Sequence, residues 1–244
     1  MKGRIIGAAL AILLLSALAL AYVSSPKDLG AAPPQPSRAD GGSAIIPLPN
    51  PSHTGPVSLE EALSKRRSIR DYSGGPLGLR ELSQLLWAAQ GITDPRGLRT
   101  APSAGGTYPL EVYVVVGAVE GLAAGVYKYG PRDHAIVRVR EGDKRAELAE
   151  AALGQAWVRE AAVDFVIAAE YGRTTGRYGD RGVRYVHMEA GHAAQNLLLQ
   201  ATALGLGAVP VGAFDDERVG AAIGSPPNER PLYVIPVGKA RAGP

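Results

Sequence analysis

Four stretches of this chain carry residue types suited to binding an anion or a flat ligand. The first is Arg66-Arg67-Ser68-Ile69-Arg70-Asp71-Tyr72. In an extended segment alternate residues share a face, which puts Arg66, Ser68 and Arg70 on one side and Arg67 on the other. Two guanidinium groups and a hydroxyl on one face suit a phosphate, whose oxygens match the forked donors of arginine. The same residues also describe a solvated basic loop. The second stretch runs from Arg99 through Pro102-Ser103-Ala104-Gly105-Gly106-Thr107 to Pro109. Small residues there let the backbone approach a flat ligand, with free N–H groups and hydroxyls as donors. No Gly-Lys-Ser/Thr follows, so it is not a P-loop. The third stretch, Gly205 to Asp216, holds a G-x-G that follows a helix instead of opening one, and the dinucleotide-binding reading fails on that context. Its apolar run Val209-Pro210-Val211-Gly212 can line one side of an aromatic ring system. The fourth is the C-terminal Pro236-Val237-Gly238-Lys239-Ala240-Arg241, whose Lys239 and Arg241 are either two more cations for an anion site or part of a solvated basic tail.

Other residues read as structural. His187 and His192 stand five apart around Glu189, a spacing that shares a helix face less well than four, so no metal site is expected. Gln195 and Asn196 are expected to satisfy buried polar contacts. Trp87 and Trp157 read as core, and Asp215-Asp216 as the start of a helix.

The 244 residues suffice for one ordinary domain with appendages. Hydrophobic residues at 46% and charged residues at 20% exclude global disorder. The net charge is +3, and Lys2 and Arg4 supply two of those positives, so no nucleic-acid partner is implied. Cysteine is absent, which excludes disulfides, thiolate metal sites, iron–sulfur clusters and cysteine nucleophiles. Lys2 and Arg4 precede Ile5–Val23, nineteen residues without a charge, long enough to cross a bilayer. Small residues at Ala17, Ala19 and Ala21 also offer cleavage sites. Residues 1–25 are therefore a membrane anchor or a signal peptide, and either places the rest of the chain outside the cytoplasm. Residues 26–56 hold eight prolines and read as a semi-rigid linker, whose later part, Ile45–Pro56, can lie on the domain as an extended arm.

Residues 57–244 read as one α+β domain. Ser58 caps a helix to Lys65, with Glu61 at the capping-box offset. Leu79–Gln90 is amphipathic and stops at Gly91. Glu111–Val116 and Val163–Ala169 read as buried strands. Gly125–Tyr129 and Ala135–Val139 form a hairpin around Gly130-Pro131. Helices are expected at Asp143–Leu153, Arg184–Leu204 and Asp215–Ile223, and a last strand at Leu232–Val237.

Taken in order, the segments "RRSIRDYS", "PSAGGTYPLEVYVV", "GVYKY", "RYGDRGVRYVHMEAGHAAQNLLLQATALGLG", "VGAFDD" and "PLYVIPVGK" resemble the nitroreductase-like flavoprotein superfamily. The closest likeness is to its SagB-type, thiazole/oxazole-forming dehydrogenase branch. The resemblance implies a layered sandwich with a mainly antiparallel sheet and a long central helix, in an intertwined homodimer that binds FMN at the subunit interface. It assigns Arg66, Ser68 and Arg70 to the FMN phosphate, ribityl chain and pyrimidine side, with Arg67 alongside. Pro102, Ser103, Ala104 and Gly105 become the loop that packs on the flavin from the partner subunit. Val209, Pro210, Val211 and Gly212 become the backbone beside the ring, and Lys239 and Arg241 further phosphate ligands.

The implied activity is an oxidoreductase passing electrons through FMN from NAD(P)H to a small-molecule acceptor, with the chemistry mainly the cofactor's. Arg70 is the candidate for electrostatic stabilisation of the reduced ring. Azoline-oxidising members carry a Lys-Tyr pair before the long helix; here the matching pair is Arg177-Tyr178. Arginine stays protonated, so Arg177 cannot act as a base, whereas Tyr178 can donate or relay a proton. The rival readings are a non-catalytic flavin- or ligand-binding protein, a dehydrogenase of peptide heterocycles, and a structural dimerisation domain.

Overall fold

The computed structural model describes residues 45–241. Ile5–Val23, the expected anchor or signal, lies outside the described residues. Among those described, no helix is long and apolar enough to cross a membrane.

The strands are β1 (Ile45–Pro47), β2 (Leu110–Val116), β3 (Gly125–Gly130), β4 (Ala135–Glu141), β5 (Val163–Ala169), β6 (Leu206–Ala208) and β7 (Arg230–Lys239). They form one seven-stranded sheet in the order β1-β4-β3-β2-β5-β7-β6, with every neighbouring pair antiparallel. The helices are α1 (Leu59–Lys65), α2 (Leu79–Gln90), α3 (Arg145–Ala151), α4 (Ala156–Glu160), α5 (Gly172–Tyr178), α6 (Arg181–Ala203) and α7 (Asp216–Ile223).

Helices cover both faces of the sheet. On one face Leu82, Leu85 and Leu86 of α2 and Val186, Ala190, Ala193 and Leu197 of α6 meet Val112, Val114, Phe165 and Ile167. On the other, Leu148 of α3, Val158 of α4 and Val219 and Ile223 of α7 meet Tyr113, Val115 and Val166. Burial of both faces explains why β2 and β5 read as apolar runs, each interrupted by a single carboxylate, Glu111 or Asp164, although their neighbours are antiparallel. The two edge strands have three residues each, which leaves little open edge.

Most expected elements are present within a few residues of their predicted ends. The Ser58 hydroxyl accepts from Glu61 N at 3.1 Å, and Asp215 likewise caps α7 through Arg218 N at 2.9 Å. Glu61 does not complete a capping box; its carboxylate goes to Lys65 at 2.5 Å, because the cation one turn on offers a stronger partner. The arm joins the fold ahead of Val57. β1 pairs with β4, Leu48 N donates to His134 O at 3.0 Å, and the Ser83 hydroxyl donates to Pro49 O at 2.5 Å. Three elements were not expected: α4, α5 and β6. α5 holds Gly172 and Gly176 within seven residues and has no side-chain cap, so neither propensity nor capping announces it. The two tryptophans are half-buried, not core: Trp87 stacks on His53 at 5.3 Å and Trp157 lies under Arg70.

Candidate active site

Three of the four stretches meet at the β6 edge of the sheet. Ile69 N donates to Ala208 O at 3.0 Å, and Ser68 and Ala208 form a parallel bridge, so the first stretch runs beside β6 as an added edge. Beyond it Ser73 N donates to Lys239 O at 2.9 Å and Arg241 N to Asp71 O at 3.1 Å, tying the same stretch to the end of β7. The third stretch continues from β6: Val211 N donates to Val234 O at 2.8 Å, and Val234 N returns to Val211 O at 3.0 Å. Val209 and Val211 are buried, while Gly212 is exposed and Pro210 half-exposed, so their outward side is a low wall. Gly207 permits the close approach. A Cβ there would lie 2.7 Å from Ile69 Cγ2.

The cations at this edge differ in what they already hold. Lys239 Nζ is 2.6 Å from Glu81 Oε1, and Arg241 Nε is 2.9 Å from Asp71 Oδ1. Among the described residues Arg66 and Arg70 make no ion pair. Arg67 turns back to α1, donating to Ser64 O at 3.0 Å and Arg66 O at 2.8 Å. The Arg70 guanidinium stands 5.2 Å from the centre of the Trp157 ring, held without losing its charge. Ser68 is exposed beside it. Beneath them Tyr72 is buried, and desolvation pushes its hydroxyl well above the ordinary tyrosine range.

The second stretch is elsewhere. Asn196 Nδ2 donates to Thr100 O at 3.2 Å, and Arg177, just ahead of α6, reaches Gly105 O, so from Thr100 to Gly105 the loop runs along α6 toward its start. From Glu189 to the start of β6 the helix rises on the order of 20 Å. The loop is held by α5, one of the two helices that sequence reasoning missed. Arg173 donates to Tyr108 O at 3.1 Å while pairing with Glu111 at 2.6 Å and Glu170 at 2.7 Å. The Thr107 and Thr174 hydroxyls are 2.8 Å apart, and Arg177 donates to Gly105 O at 3.1 Å. A Cβ at Gly105 would fall 2.5 Å from Tyr178 Oη, and its φ of 62° is one that other residues rarely adopt. Tyr178 thus stands directly over Gly105, so the candidate proton donor and the candidate ring-packing loop share one place. Arg173 and Arg177 lie one helical turn apart, the only sign of this in the sequence.

Below the loop is a buried polar group that sequence reasoning treated as incidental. Glu189 is 2% exposed, and its Oε1 has no hydrogen-bond partner. Desolvation raises its carboxyl to about 7, against the pull of Ser103 and Arg99. Arg99 donates to Gln90 Oε1 at 2.7 Å and lies 4.5 Å from the Tyr108 ring centre; burial lowers its guanidinium. On the other face of the sheet Asp164 is fully buried with neither oxygen bonded, and burial pushes its carboxyl well up.

The sequence pattern of the Nitroreductase family matches residues 63–239, nearly the whole described chain. A Methanocaldococcus jannaschii protein named as a candidate nitroreductase is 54% identical over 183 residues, which is 75% of this chain and 91% of that one. The trifolitoxin operon protein TfxC of Rhizobium leguminosarum is 25% identical over 194 residues, 73% of this chain and 54% of its own length. An NADPH-flavin oxidoreductase of Vibrio harveyi is 33% identical over 111 residues, covering 42% of this chain and 46% of that one. A solved nitroreductase-named structure from Ralstonia eutropha superposes with a TM-score of 0.72 at 32% identity, covering 82% of this chain and 90% of the other. The chain belongs to the nitroreductase family. It is an oxidoreductase of the FMN type, and a trifolitoxin-processing protein, TfxB of Rhizobium leguminosarum, is 31% identical to it over 113 residues.

Proposed function

We propose that the protein passes electrons from NAD(P)H to a small-molecule acceptor by way of FMN, as a homodimer. Each active site combines the β6 edge of one subunit with the Pro102–Gly105 loop of the other. The observation that carries this reading is the pairing state of the cations. A phosphate dianion needs charges not already spent, and Arg66 and Arg70 stand beside Ser68 without a carboxylate. The donor set therefore fits FMN at this edge. Lys239 and Arg241 are engaged by Glu81 and Asp71 and would act as a second line.

The loop and the edge stand on the order of 20 Å apart along α6, beyond the width of one flavin ring, which supports the two-subunit site. Leu59, Leu63 and Met188 are exposed apolar residues on α1 and α6 and offer a face for the partner copy.

FMN supplies the two-electron chemistry when bound. Arg66 and Ser68 would hold its phosphate end, and Arg70, steadied by Trp157, would place positive charge at the ring. Pro210 and Gly212 would form the wall beside it. Tyr178, over Gly105, would hold a proton at Oη for the acceptor. Arg177 stays protonated and is bonded to Gly105 O, so it cannot be the base an azoline oxidation asks for. The charge-free run Ile5–Val23 behind Lys2 and Arg4 supports anchoring to, or export across, a membrane, with the domain on the extracytoplasmic side.

The test is the visible spectrum of the purified protein after incubation with FMN and desalting, followed anaerobically on adding NADPH. Yellow colour that is retained and then bleached is expected. The double substitution Arg66→Ala/Arg70→Ala should weaken FMN binding by on the order of 10² or more, since each charged hydrogen bond contributes about 1.5–3 kcal/mol. A folded protein that retains no flavin, or an unchanged affinity in the double variant, overturns the assignment.

A further inference from the structure

Beside Gly105 two arginines and two tyrosines pack in series. The Arg177 guanidinium lies 5.5 Å from the centre of the Tyr178 ring. Tyr178 meets Tyr185 edge-on, with ring centres 5.2 Å apart and planes at 87°. The Arg181 guanidinium lies 5.7 Å from the centre of the Tyr185 ring. Arg181 and Tyr185 stand four apart in the first turns of α6, so the helical period brings them together. An arginine laid over a tyrosine face is held in place and keeps its charge. The series touches the loop directly. A Cβ at Gly105 would fall 2.5 Å from Tyr178 Oη and 2.9 Å from Arg177 Nη1.

These charges are not spent within the subunit. Arg173 is taken up by Glu111 and Glu170. Among the described residues Arg177, Arg181 and Arg184 make no ion pair, and neither does Asp180. Asp180 is the only acidic residue from Tyr171 to Met188. Three arginines against one aspartate leave two positive charges around a half-exposed pair of rings. Uncompensated charge of one sign raises the local concentration of ligands of the other.

We propose that Arg181, together with the Tyr178–Tyr185 pair, selects the electron acceptor, and that this acceptor is a planar aromatic acid. This rests on the reading of Pro102–Gly105 as a flavin-contacting loop. The tyrosines offer ring contacts to a flat molecule, and the forked donors of Arg181 match a carboxylate. The proton decides between acceptor and donor. An acceptor reduced by two electrons takes up protons, whereas the nicotinamide donor takes up none. The hydroxyl of Tyr178 stands within the series, so the cations around it belong with the acceptor.

The experiment uses the full-length, FMN-loaded protein and two probes of similar shape, 4-nitrobenzoate and 4-nitrobenzamide, which differ in charge. The readout is the ratio of their kcat/KM values, and the ratio of their calorimetric affinities for the oxidised protein, which stands by itself if turnover is slow. Wild type should bind the acid more tightly than the amide. Both ratios should fall about two- to fivefold in Arg181→Gln, the effect of one exposed ion pair. They should fall further in Arg181→Glu and recover in Arg181→Lys. Raising salt from about 0.02 M to about 0.3 M should bring the wild-type ratios toward those of Arg181→Gln. Equal ratios in wild type, Arg181→Gln and Arg181→Glu overturn the proposal while leaving the flavin reading intact. Bleaching of the bound FMN by NADPH is followed in the same variants. An effect there as large as on the probe ratios assigns the cations to the dinucleotide phosphates and also overturns it. A folded protein that retains no FMN sinks the flavin reading, and this proposal with it.

Discussion

Replacing Gly207 by alanine tests the physical link between the cation-bearing stretch and the sheet. The added Cβ would sit 2.7 Å from Ile69 Cγ2, 3.0 Å from Ile69 Cβ and 3.4 Å from the Ala240 Cβ. Carbons rest about 3.5–4.0 Å apart, so the two chains must separate by close to an ångström. A side-chain rotation removes the first overlap but not the second, because a Cβ moves only with its backbone. The backbone of Ile69 is itself held by its N–H on Ala208 O at 3.0 Å. Overpacking of this kind costs about 1–3 kcal/mol. For a domain of this size that lowers Tm by roughly 2–12 °C. The displacement also carries Ser68 and Arg70 away from β6, so flavin affinity should fall with stability. Thermal unfolding of Gly207→Ala, Ile69→Ala and the double variant reads the coupling directly. Ile69→Ala removes the Cγ2 contact, so the double variant should lose less than the sum of the singles, by about 0.5 kcal/mol or more. Wild-type Tm in Gly207→Ala, or strict additivity in the cycle, refutes the reasoning.

Two further outcomes follow from buried charge. Arg173→Ala should destabilise the protein by about 1.5–3 kcal/mol in chemical denaturation, because it leaves Glu170 without its arginine and Glu111 with Lys128 as its remaining cation. It should also loosen the Pro102–Gly105 loop, read as faster amide exchange there, since Tyr108 O loses its donor. Asp164 carries a raised carboxyl in the folded state, so its contribution is full below the ordinary carboxylate range near about 4 and is lost as pH rises toward the folded value. Asp164→Asn should flatten that decline in denaturation midpoints measured from pH 5 to 8; an unchanged slope shows that Asp164 does not titrate as its burial requires.

The sequence by itself determined most of the elements and the residue types from which a site could be built. Apolar runs bounded by turn residues marked β2, β5 and the β3–β4 hairpin. Spacing at helical period marked α2, and caps at Ser58 and Asp215 marked two helix starts. Arg66, Ser68 and Arg70 were legible because residue type and alternation are local properties. What the sequence left undecided was which cations are available. Lys239 and Arg241 look like Arg66 and Arg70 in the chain, yet Glu81 and Asp71 neutralise them across separations that no local pattern encodes. The same limit hid α5, which has weak helix formers and no cap, and is stabilised by Arg173 reaching Glu111 and Tyr108 O. It also hid Glu189, one polar residue in a long helix until folding closes a loop over it. Burial and ion pairing are sums over everything that surrounds a group, and only the tertiary structure brings those surroundings together.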